Sequence, residues 1–169
     1  DLGVMVTASH YPHPYNGFKL SLASCVPIGS GSGMEEIRDA VLAFDHLFDS
    51  NKEFIPKKDE NVIQRYVARI KEKVRLPSEM REISLAIDAG NGMSGVVLPE
   101  ILKAFPSLNF TKLFWELDGH FPNHEANPLK TETLHDLQKS VLENSCLFGV
   151  AFDGDADRVG IVDEKGEQI

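Results

Sequence analysis

The chain has 169 residues, of which 42% are hydrophobic and 25% charged, so it can bury a core without help from a disulfide or a metal. Its 26 acidic residues outnumber its 17 basic residues, and the formal charge of −9 argues against a general nucleic-acid binder because it repels polyanions. No apolar run approaches the roughly 20 residues that a membrane-spanning helix requires, so we expect no membrane association.

The two cysteines, Cys25 and Cys146, lie far apart in the sequence and have no metal-ligand spacing. This pattern predicts buried thiols in a reducing compartment, and therefore a cytoplasmic protein, rather than a disulfide framework. The first residue is Asp1 and not Met, which we interpret as a processed chain or a piece cut from something longer.

The first part of the chain predicts two short strands and a helix. Residues 2–7 form an apolar run that ends in a polar loop, and residues 18–22 alternate like a half-buried strand. Ser32, with Glu35 three residues later, predicts a capping-box start for a helix. The apolar stripe of this helix consists of Met34, Ile37, Val41, Phe44 and Phe48.

A charged stretch at residues 53–60 separates this helix from the next, and we interpret it as a solvated linker. The second helical pattern is carried by Ile63, Tyr66, Val67, Ile70 and Val74. We expect this helix to end near Leu76-Pro77, because the residue before a proline is disfavoured in a helix.

From Ile83 the pattern becomes strand, helix, strand, helix, strand, which is typical of α/β layering and predicts a second domain. Trp115 and the phenylalanines of this region are interpreted as core residues. The predicted strands are 83–88, 110–115, 147–152 and 159–162; the predicted helices are 94–105 and one marked by Leu134, Leu137 and Val141; turns are predicted at 88–92 and 163–166 and a long loop at 117–129.

The most distinctive local feature is Asp153-Gly154-Asp155-Ala156-Asp157-Arg158, directly after a predicted buried strand. Alternate side chains of an extended segment point to one side, so the three carboxylates should converge. Two carboxylates about 4 Å apart repel by roughly 4 kcal/mol at an effective dielectric of 20, so a positive partner is expected between them. Oxygen ligands of this kind suit Mg²⁺.

Two other interpretations of this acidic segment compete with a magnesium site. An ordinary solvated turn does not place three aspartates on one side. An EF-hand would put Glu164 at the twelfth loop position, but its sixth position is Arg158 instead of glycine and both flanks read as strands. We therefore favour a metal site on a strand-flanked loop.

A second feature is Thr7-Ala8-Ser9-His10, in which a hydroxyl follows an apolar strand and precedes a potential proton carrier. A serine hydrolase is disfavoured, because adjacent residues rarely form the contact of a catalytic triad and the Gly-x-Ser-x-Gly elbow is missing. Lys19, ten residues after Ser9, could return a cation toward it across the loop.

These segments together resemble the α-D-phosphohexomutases. Residues 3–12 and 15–19 resemble the active-site serine loop of that family, and residues 152–158 resemble its metal loop. Residues 88–92 and 119–124 also resemble family segments, in the expected order and spacing. The form Asn16-Gly17-Phe18-Lys19 is more similar to the phosphomannomutase/phosphoglucomutase branch than to the phosphoglucosamine branch.

The resemblance implies an α/β fold with mixed sheets sandwiched by helices, in which a partial first domain precedes a βαβαβ second domain. Family members have four domains, so residues 1–58 would be the later part of domain 1, 59–82 a linker helix and 83–169 domain 2. Two positions depart from the family pattern: Tyr11 stands where Asn is typical, and Ala156 where Gly is typical.

The resemblance also implies the roles of single residues. Ser9 would carry a phosphoryl group, and Asp153, Asp155 and Asp157 would bind Mg²⁺ together with an oxygen on Ser9. Arg158, His10 and Lys19 would gather around the same phosphate, and either Lys19 or His10 could act as the general acid or base.

The implied activity is the Mg²⁺-dependent interconversion of hexose 1-phosphate and hexose 6-phosphate, through a phosphoserine and a hexose 1,6-bisphosphate that also acts as activator. A non-catalytic divalent-metal module and a metal-dependent sugar phosphatase are the alternatives. We expect this chain alone to be inactive. His120 and His124, in a proline-bounded loop, are expected to be structural rather than zinc ligands.

Overall fold

The computed structural model describes residues 2–44, 61–75 and 83–169. Within this part of the chain, residues 2–7 and 16–44 form one compact unit, and residues 8–15, 61–75 and 83–169 form another. The predicted domain boundaries after residues 58 and 82, the linker at 53–60, Phe48 and the Leu76-Pro77 helix end all lie outside the described residues. The described helices contain none that is long and apolar enough to cross a bilayer.

The smaller unit contains a two-stranded antiparallel sheet and one helix. Strand β1 is Leu2–Val6 and strand β2 is Phe18–Leu22, with Leu2 opposite Leu22 and Val6 opposite Phe18. A short 3₁₀ helix, Ala23–Cys25, follows β2 directly. The two predicted strands are therefore confirmed as a hairpin with a long connection.

Helix α1, Met34–Leu42, begins one residue later than a capping box at Ser32 requires. Its N-cap is Gly33, at φ 113°, and no side chain caps the helix. The Ser32 hydroxyl bonds Gly29 in the preceding turn, whereas the Glu35 carboxylate accepts the backbone N–H of Gly31 at 3.0 Å. The predicted helix is correct, but its predicted cap is wrong because the glycine loop uses the hydroxyl locally.

The larger unit is built on a four-stranded mixed sheet in the order β4-β3-β5-β6. Strand β3 pairs in parallel with both β4 and β5, and β6 pairs antiparallel with β5. The bounds are β3 Ile83–Asp88, β4 Leu108–Leu113, β5 Phe148–Phe152, β6 Val159–Val162, α2 Val62–Lys73, α3 Ser94–Leu102 and α4 His135–Glu143, the last preceded by a 3₁₀ turn at Thr131–Leu134.

Each face of the sheet is covered by a helix. On one face, Leu137 and Val141 of α4 pack with Ala86, Ala151 and Val162 in a fully buried cluster. On the other face, Leu98 and Leu102 of α3 pack against Leu85 and Ile87 of β3. The aromatic residues of the same cluster are Phe110, Trp115, Phe148 and Phe152. This layering follows from the alternation of β3, whose successive side chains point to opposite faces, and it confirms the predicted α/β fold.

Several predicted bounds move by a few residues. Helix α3 ends at Leu102 rather than 105, because residues 103–105 close with tighter turns. Strand β4 ends at Leu113 rather than 115, since Phe114 has φ 53° and leaves the ladder. Both cysteines are free, but only Cys146 is buried; the prediction of a buried Cys25 is wrong because the short helix after β2 leaves it exposed.

Candidate functional site

The acidic segment forms the tight loop between β5 and β6. The backbone N–H of Asp153 donates to the Arg158 carbonyl at 3.2 Å, and the N–H of Ala156 donates to the Asp153 carbonyl at 3.1 Å. Carboxylate oxygens of the three aspartates lie within 4.8 Å of one another. They converge because the loop curls on itself, with Ala156 at φ 62°, and not because the segment is extended as the sequence pattern suggested.

Asp153 is the buried anchor of this loop, with no exposed surface. Its Oδ1 accepts the backbone N–H groups of Asp157 and Arg158 at 3.0 and 3.1 Å. Its Oδ2 accepts Nε and Nη2 of Arg158 at 3.0 and 2.7 Å. The Asp153 carboxylate therefore accepts five hydrogen bonds, the fifth from the Ser9 hydroxyl, while Asp155 is half-buried and Asp157 is exposed.

The loop at residues 8–15 brings Ser9 to these carboxylates. A turn closes where the Tyr11 N–H donates to the Ala8 carbonyl at 3.0 Å, and Ser9 itself has φ 54°. The Ser9 hydroxyl lies 3.1 Å from Asp153 Oδ2 and 3.3 Å from Asp155 Oδ1. The hydroxyl is therefore within reach of any cation that those two carboxylates hold.

Arg158 connects the serine loop and the acidic loop. Its Nη2 donates to the Ser9 hydroxyl at 2.5 Å and also to His10 Nδ1. Because a guanidinium only donates, Nδ1 of His10 accepts this bond. Arg158 Nε also lies 3.5 Å from Asp157 Oδ1, so this one guanidinium contacts Ser9, His10, Asp153 and Asp157. All predicted site residues except Lys19 therefore lie together around the acidic loop, with Asp155 contacting Ser9 directly.

Lys19, the remaining predicted site residue, belongs to β2 of the smaller unit. It is exposed and lies opposite Met5 in the two-stranded ladder. Its part in the chemistry of Ser9 stays a prediction.

The donor set of the acidic loop fits a hard divalent cation. All candidate ligands are carboxylate or hydroxyl oxygens, which Mg²⁺ and Ca²⁺ prefer. Around Mg²⁺, with Mg–O bonds of 2.0–2.1 Å, ligand oxygens lie about 3.0 to 4.2 Å apart, so carboxylates already within 4.8 Å need little movement. The EF-hand alternative is excluded because strands flank the loop on both sides.

Glycines allow the loops around the site to approach closely. A Cβ at Gly154 would overlap the Ser9 carbonyl oxygen, and the Phe121 ring lies 3.6 Å from the same point. A Cβ at Gly92 would lie 2.8 Å from the Gly154 carbonyl oxygen. The Met93 N–H donates to that same carbonyl at 2.9 Å, so the turn after β3 supports the acidic loop directly.

Asp88, the last residue of β3, forms a largely buried hydrogen-bonded pair with His124. Nε2 of His124 lies 2.9 Å from Oδ2 of Asp88, whose side chain is fully buried. This hydrogen bond raises the pKa of His124 above its ordinary value, against the opposing effect of burial.

The sequence reasoning missed this pair, although it contained the signal for it. An aspartate that ends a buried strand needs a buried partner. The carboxyl ends of the parallel strands β3 and β4 meet at one edge of the sheet, so a partner for Asp88 is expected in the loop after β4, which contains His124.

The second histidine of that loop has a different environment. His120 pairs with Asp118 at 2.9 Å on the surface and its ring lies 4.0 Å from that of His13. The His120 backbone N–H and ring lower the pKa of the Asp118 carboxyl. In the described residues, the group that could hold a metal ion consists of the three aspartates, and neither His120 nor His124 belongs to it.

Comparison with known proteins places these loops in a family context. Residues 64–166 match the family described as phosphoglucomutase/phosphomannomutase, alpha/beta/alpha domain II. A phosphomannomutase/phosphoglucomutase of Pseudomonas syringae pv. tomato is 36% identical over 170 residues, covering 99% of this chain and 34% of that protein. A phosphoglucomutase of Neisseria gonorrhoeae is 38% identical over 168 residues, covering 99% and 35%.

A solved structure has the same fold. A phosphoglucomutase/phosphomannomutase family protein from Burkholderia thailandensis matches with a TM-score of 0.80 and 32% sequence identity, covering 100% of this chain and 35% of that one. The chain therefore spans about a third of the length of the relatives it matches.

Proposed function

The chain belongs to the phosphoglucomutase/phosphomannomutase family, and on that premise we propose that it carries the phosphoryl-transfer centre of a Mg²⁺-dependent phosphohexomutase. The observation that carries the proposal is the Ser9 hydroxyl, held within 3.3 Å of two of the three clustered aspartates and within 2.5 Å of a guanidinium. The reaction would convert hexose 1-phosphate and hexose 6-phosphate into each other.

In this proposal Ser9 is the residue that holds and transfers the phosphoryl group. Phosphoryl transfer depends mainly on positioning and on neutralising charge on the transferred group. Arg158 already donates to the Ser9 hydroxyl and would donate in the same way to a phosphoryl oxygen on it. Asp153 holds that guanidinium in place, because its Oδ2 accepts both Nε and Nη2.

Asp153, Asp155 and Asp157 would hold the Mg²⁺, together with an oxygen on Ser9. When bound, the ion supplies Lewis-acid stabilisation of charge on the phosphoryl oxygens. The three carboxylates would keep the ion beside Ser9, with the buried Asp153 as a fixed ligand and the exposed Asp157 on the solvent side.

His10 and Lys19 are the candidates for proton transfer to and from the sugar hydroxyl. His10 contacts Arg158 and lies 3.5 Å from the Ser9 hydroxyl, which supports a role close to the phosphate. Lys19 enters through the family resemblance of the segment at residues 15–19.

The substrates would be hexose phosphates, with hexose 1,6-bisphosphate as intermediate and activator, and the protein would act in the cytoplasm without nucleic-acid or membrane partners. Because the chain spans about a third of its relatives, we propose that it does not turn over alone. Contacts remote from the reacting groups orient a substrate, and losing that orientation removes on the order of 7 to 11 kcal/mol of barrier lowering.

The full-length protein that carries this chain provides the test of activity. It is incubated with glucose 1-phosphate or mannose 1-phosphate and a trace of the matching 1,6-bisphosphate, next to the Ser9→Ala and Ser30→Ala variants. Formation of the 6-phosphate that is lost in Ser9→Ala and kept in Ser30→Ala supports the mutase. Release of free phosphate indicates a phosphatase instead, and neither product indicates a non-catalytic metal-binding module.

Calorimetry with Mg²⁺ tests the metal site in the chain itself. We expect Asp155→Ala to weaken Mg²⁺ binding at least about tenfold, because it removes one of three anionic ligands. Glu164→Ala is the matched control: it removes an exposed carboxylate that only the EF-hand arrangement would use. Equal Mg²⁺ affinity of Asp155→Ala and the unmodified chain would show that the assignment is wrong.

A further inference from the structure

The pair of Asp88 and His124 lies outside the candidate catalytic residues, and its geometry favours the charged form of the histidine. Nδ1 of His124 faces the Glu125 carbonyl at 2.8 Å and Nε2 faces Asp88 at 2.9 Å. A carbonyl and a carboxylate only accept, so this arrangement favours the doubly protonated ring, in which both nitrogens donate. The side chains are 14% and 0% exposed, so little solvent screens the pair.

The pair is tied to the turn that follows β3. Oδ1 of Asp88 accepts the Gly90 N–H at 2.7 Å. Gly90, at φ 53°, lies between the loop and β5: a Cβ there would lie 3.3 Å from both the Ala126 side chain and the Phe152 carbonyl oxygen. The turn therefore fills the space between the His124 loop and the end of the strand that leads into Asp153.

A second connection locks the turn to the same loop. The Asn123 amide donates to Asn91 Oδ1 at 2.7 Å, and the Asn91 amide donates to the Glu116 carbonyl at 2.8 Å. Beyond Asn91, Gly92 and the Met93 N–H touch Gly154, the residue between two of the clustered aspartates. A continuous series of short contacts thus runs from His124 to the acidic loop.

We propose that His124 is a positioning residue: through Asp88 and the turn at residues 88–93 it sets the place of Gly154, and with it the spacing of Asp153 and Asp155. The metal-binding half of this inference rests on the proposed function. The nearby Phe114 ring packs edge-on against the His124 ring, with centroids 5.2 Å apart, and favours the ring orientation that both acceptors require.

The experiment compares two histidine variants of one loop. His124→Phe removes the buried pair, and His120→Phe makes the same chemical change at the exposed pair with Asp118. We expect His124→Phe to weaken Mg²⁺ binding about three- to tenfold, less than the loss of a group bonded directly to a ligand, and His120→Phe to change it less than about twofold. Binding is measured by calorimetry at a temperature where both variants are folded, so a loss of stability alone does not change the result.

Hydrogen exchange gives a readout that needs no metal. In His124→Phe, the Met93 amide, which donates to Gly154, and the Asp157 amide, which donates to Asp153, should exchange faster relative to the core strand β3. In His120→Phe both rates should stay unchanged. The double variant Asp88→Asn/His124→Gln, which replaces the ions by a neutral amide pair, should recover most of the protection and most of the affinity.

The outcomes separate the two proposals. Unchanged Met93 and Asp157 exchange in folded His124→Phe, or unchanged Mg²⁺ affinity, overturns the positioning role. If the unmodified chain binds no Mg²⁺ while the two amides still respond to His124→Phe, the metal site is wrong and the structural coupling stands. Should His124→Phe fail to fold, His124→Gln gives the same comparison with a smaller change.

Discussion

The two units of this chain contain similar apolar patterns but use them differently. In the smaller unit, Ile28 is the buried residue of the described part, and Leu2, Val6 and Leu42 are 63%, 69% and 78% exposed. In the larger unit, Leu134, Leu137, Val141 and Val162 have no exposed surface. The difference teaches that periodicity is enough to form a strand or a helix, whereas a core also requires a second layer packed against the apolar face.

The largest expected difference is in the cost of truncating a leucine on a helix. Leu137→Ala in α4 should lower the free energy of unfolding by about 3 kcal/mol, because it leaves a cavity in a closed cluster. Leu42→Ala in α1 makes the same change at an exposed position and should alter it by less than about 0.5 kcal/mol. Urea unfolding of the two variants checks both values, and similar costs would contradict the comparison.

The two cysteines provide a chemical probe of the same contrast. Cys25 in the smaller unit is exposed, and Cys146 in the larger one is buried. Burial also raises the pKa of the Cys146 thiol, which reduces its reactive thiolate. We expect a thiol reagent to label Cys25 at least about 100-fold faster than Cys146, whose reaction needs local opening. Labelling of Cys25→Ser and Cys146→Ser separates the two rates.

Backbone strain should depend less on burial than side-chain packing does. Ala156, at φ 62°, and Ser24, at φ 61°, occupy the same left-handed conformation in different units. Ala156→Gly should stabilise the larger unit by about 1 kcal/mol, since glycine adopts this conformation without a Cβ clash. Ser24→Gly should raise the free energy of unfolding by a similar amount. If urea unfolding gives less than half the stabilisation of Ala156→Gly, the smaller unit contributes little to the measured transition.

The smallest expected effect is a pH dependence of the larger unit. The pKa of His124 is raised in the folded chain by its bond to Asp88, so its stabilising contribution is complete below the unfolded value near pH 6.5. That contribution is lost as pH rises through the folded pKa. Denaturation at a series of pH values should show this loss in the unmodified chain and in His120→Phe, but not in His124→Gln.

Much of the fold could be predicted because local pattern and tertiary position agree. The apolar run at residues 83–88 and the alternation at 18–22 are strands. Leu137 and Val141 lie on the predicted helix, whereas Leu134 ends the 3₁₀ turn before it. The predictions that were wrong concern local competition: Ser32 bonds its own turn instead of capping α1, and Phe114 leaves β4 two residues early.

The residues of the candidate site were predicted from the sequence, but the hydrogen bonds that hold them together were not. Residue spacing singled out Asp153, Asp155 and Asp157, because carboxylates at alternate positions need a cation wherever they fold. Ser9, His10 and Arg158 entered through the family resemblance. The same residues did not reveal that Arg158 holds Asp153 and Ser9 at once. That contact joins residues separated by 149 positions in the chain, and local spacing carries no information about it.

The sequence by itself determined most strands and helices and the residue types of the acidic loop, since each depends on side chains that are near neighbours along the chain. It also indicated the family, through several motifs in their order. Only the tertiary structure decided that His124 pairs with Asp88 and that Gly92 supports Gly154. Both contacts form where the carboxyl ends of parallel strands meet, and a buried charge such as Asp88 is stable only beside a partner that the folded sheet brings to it.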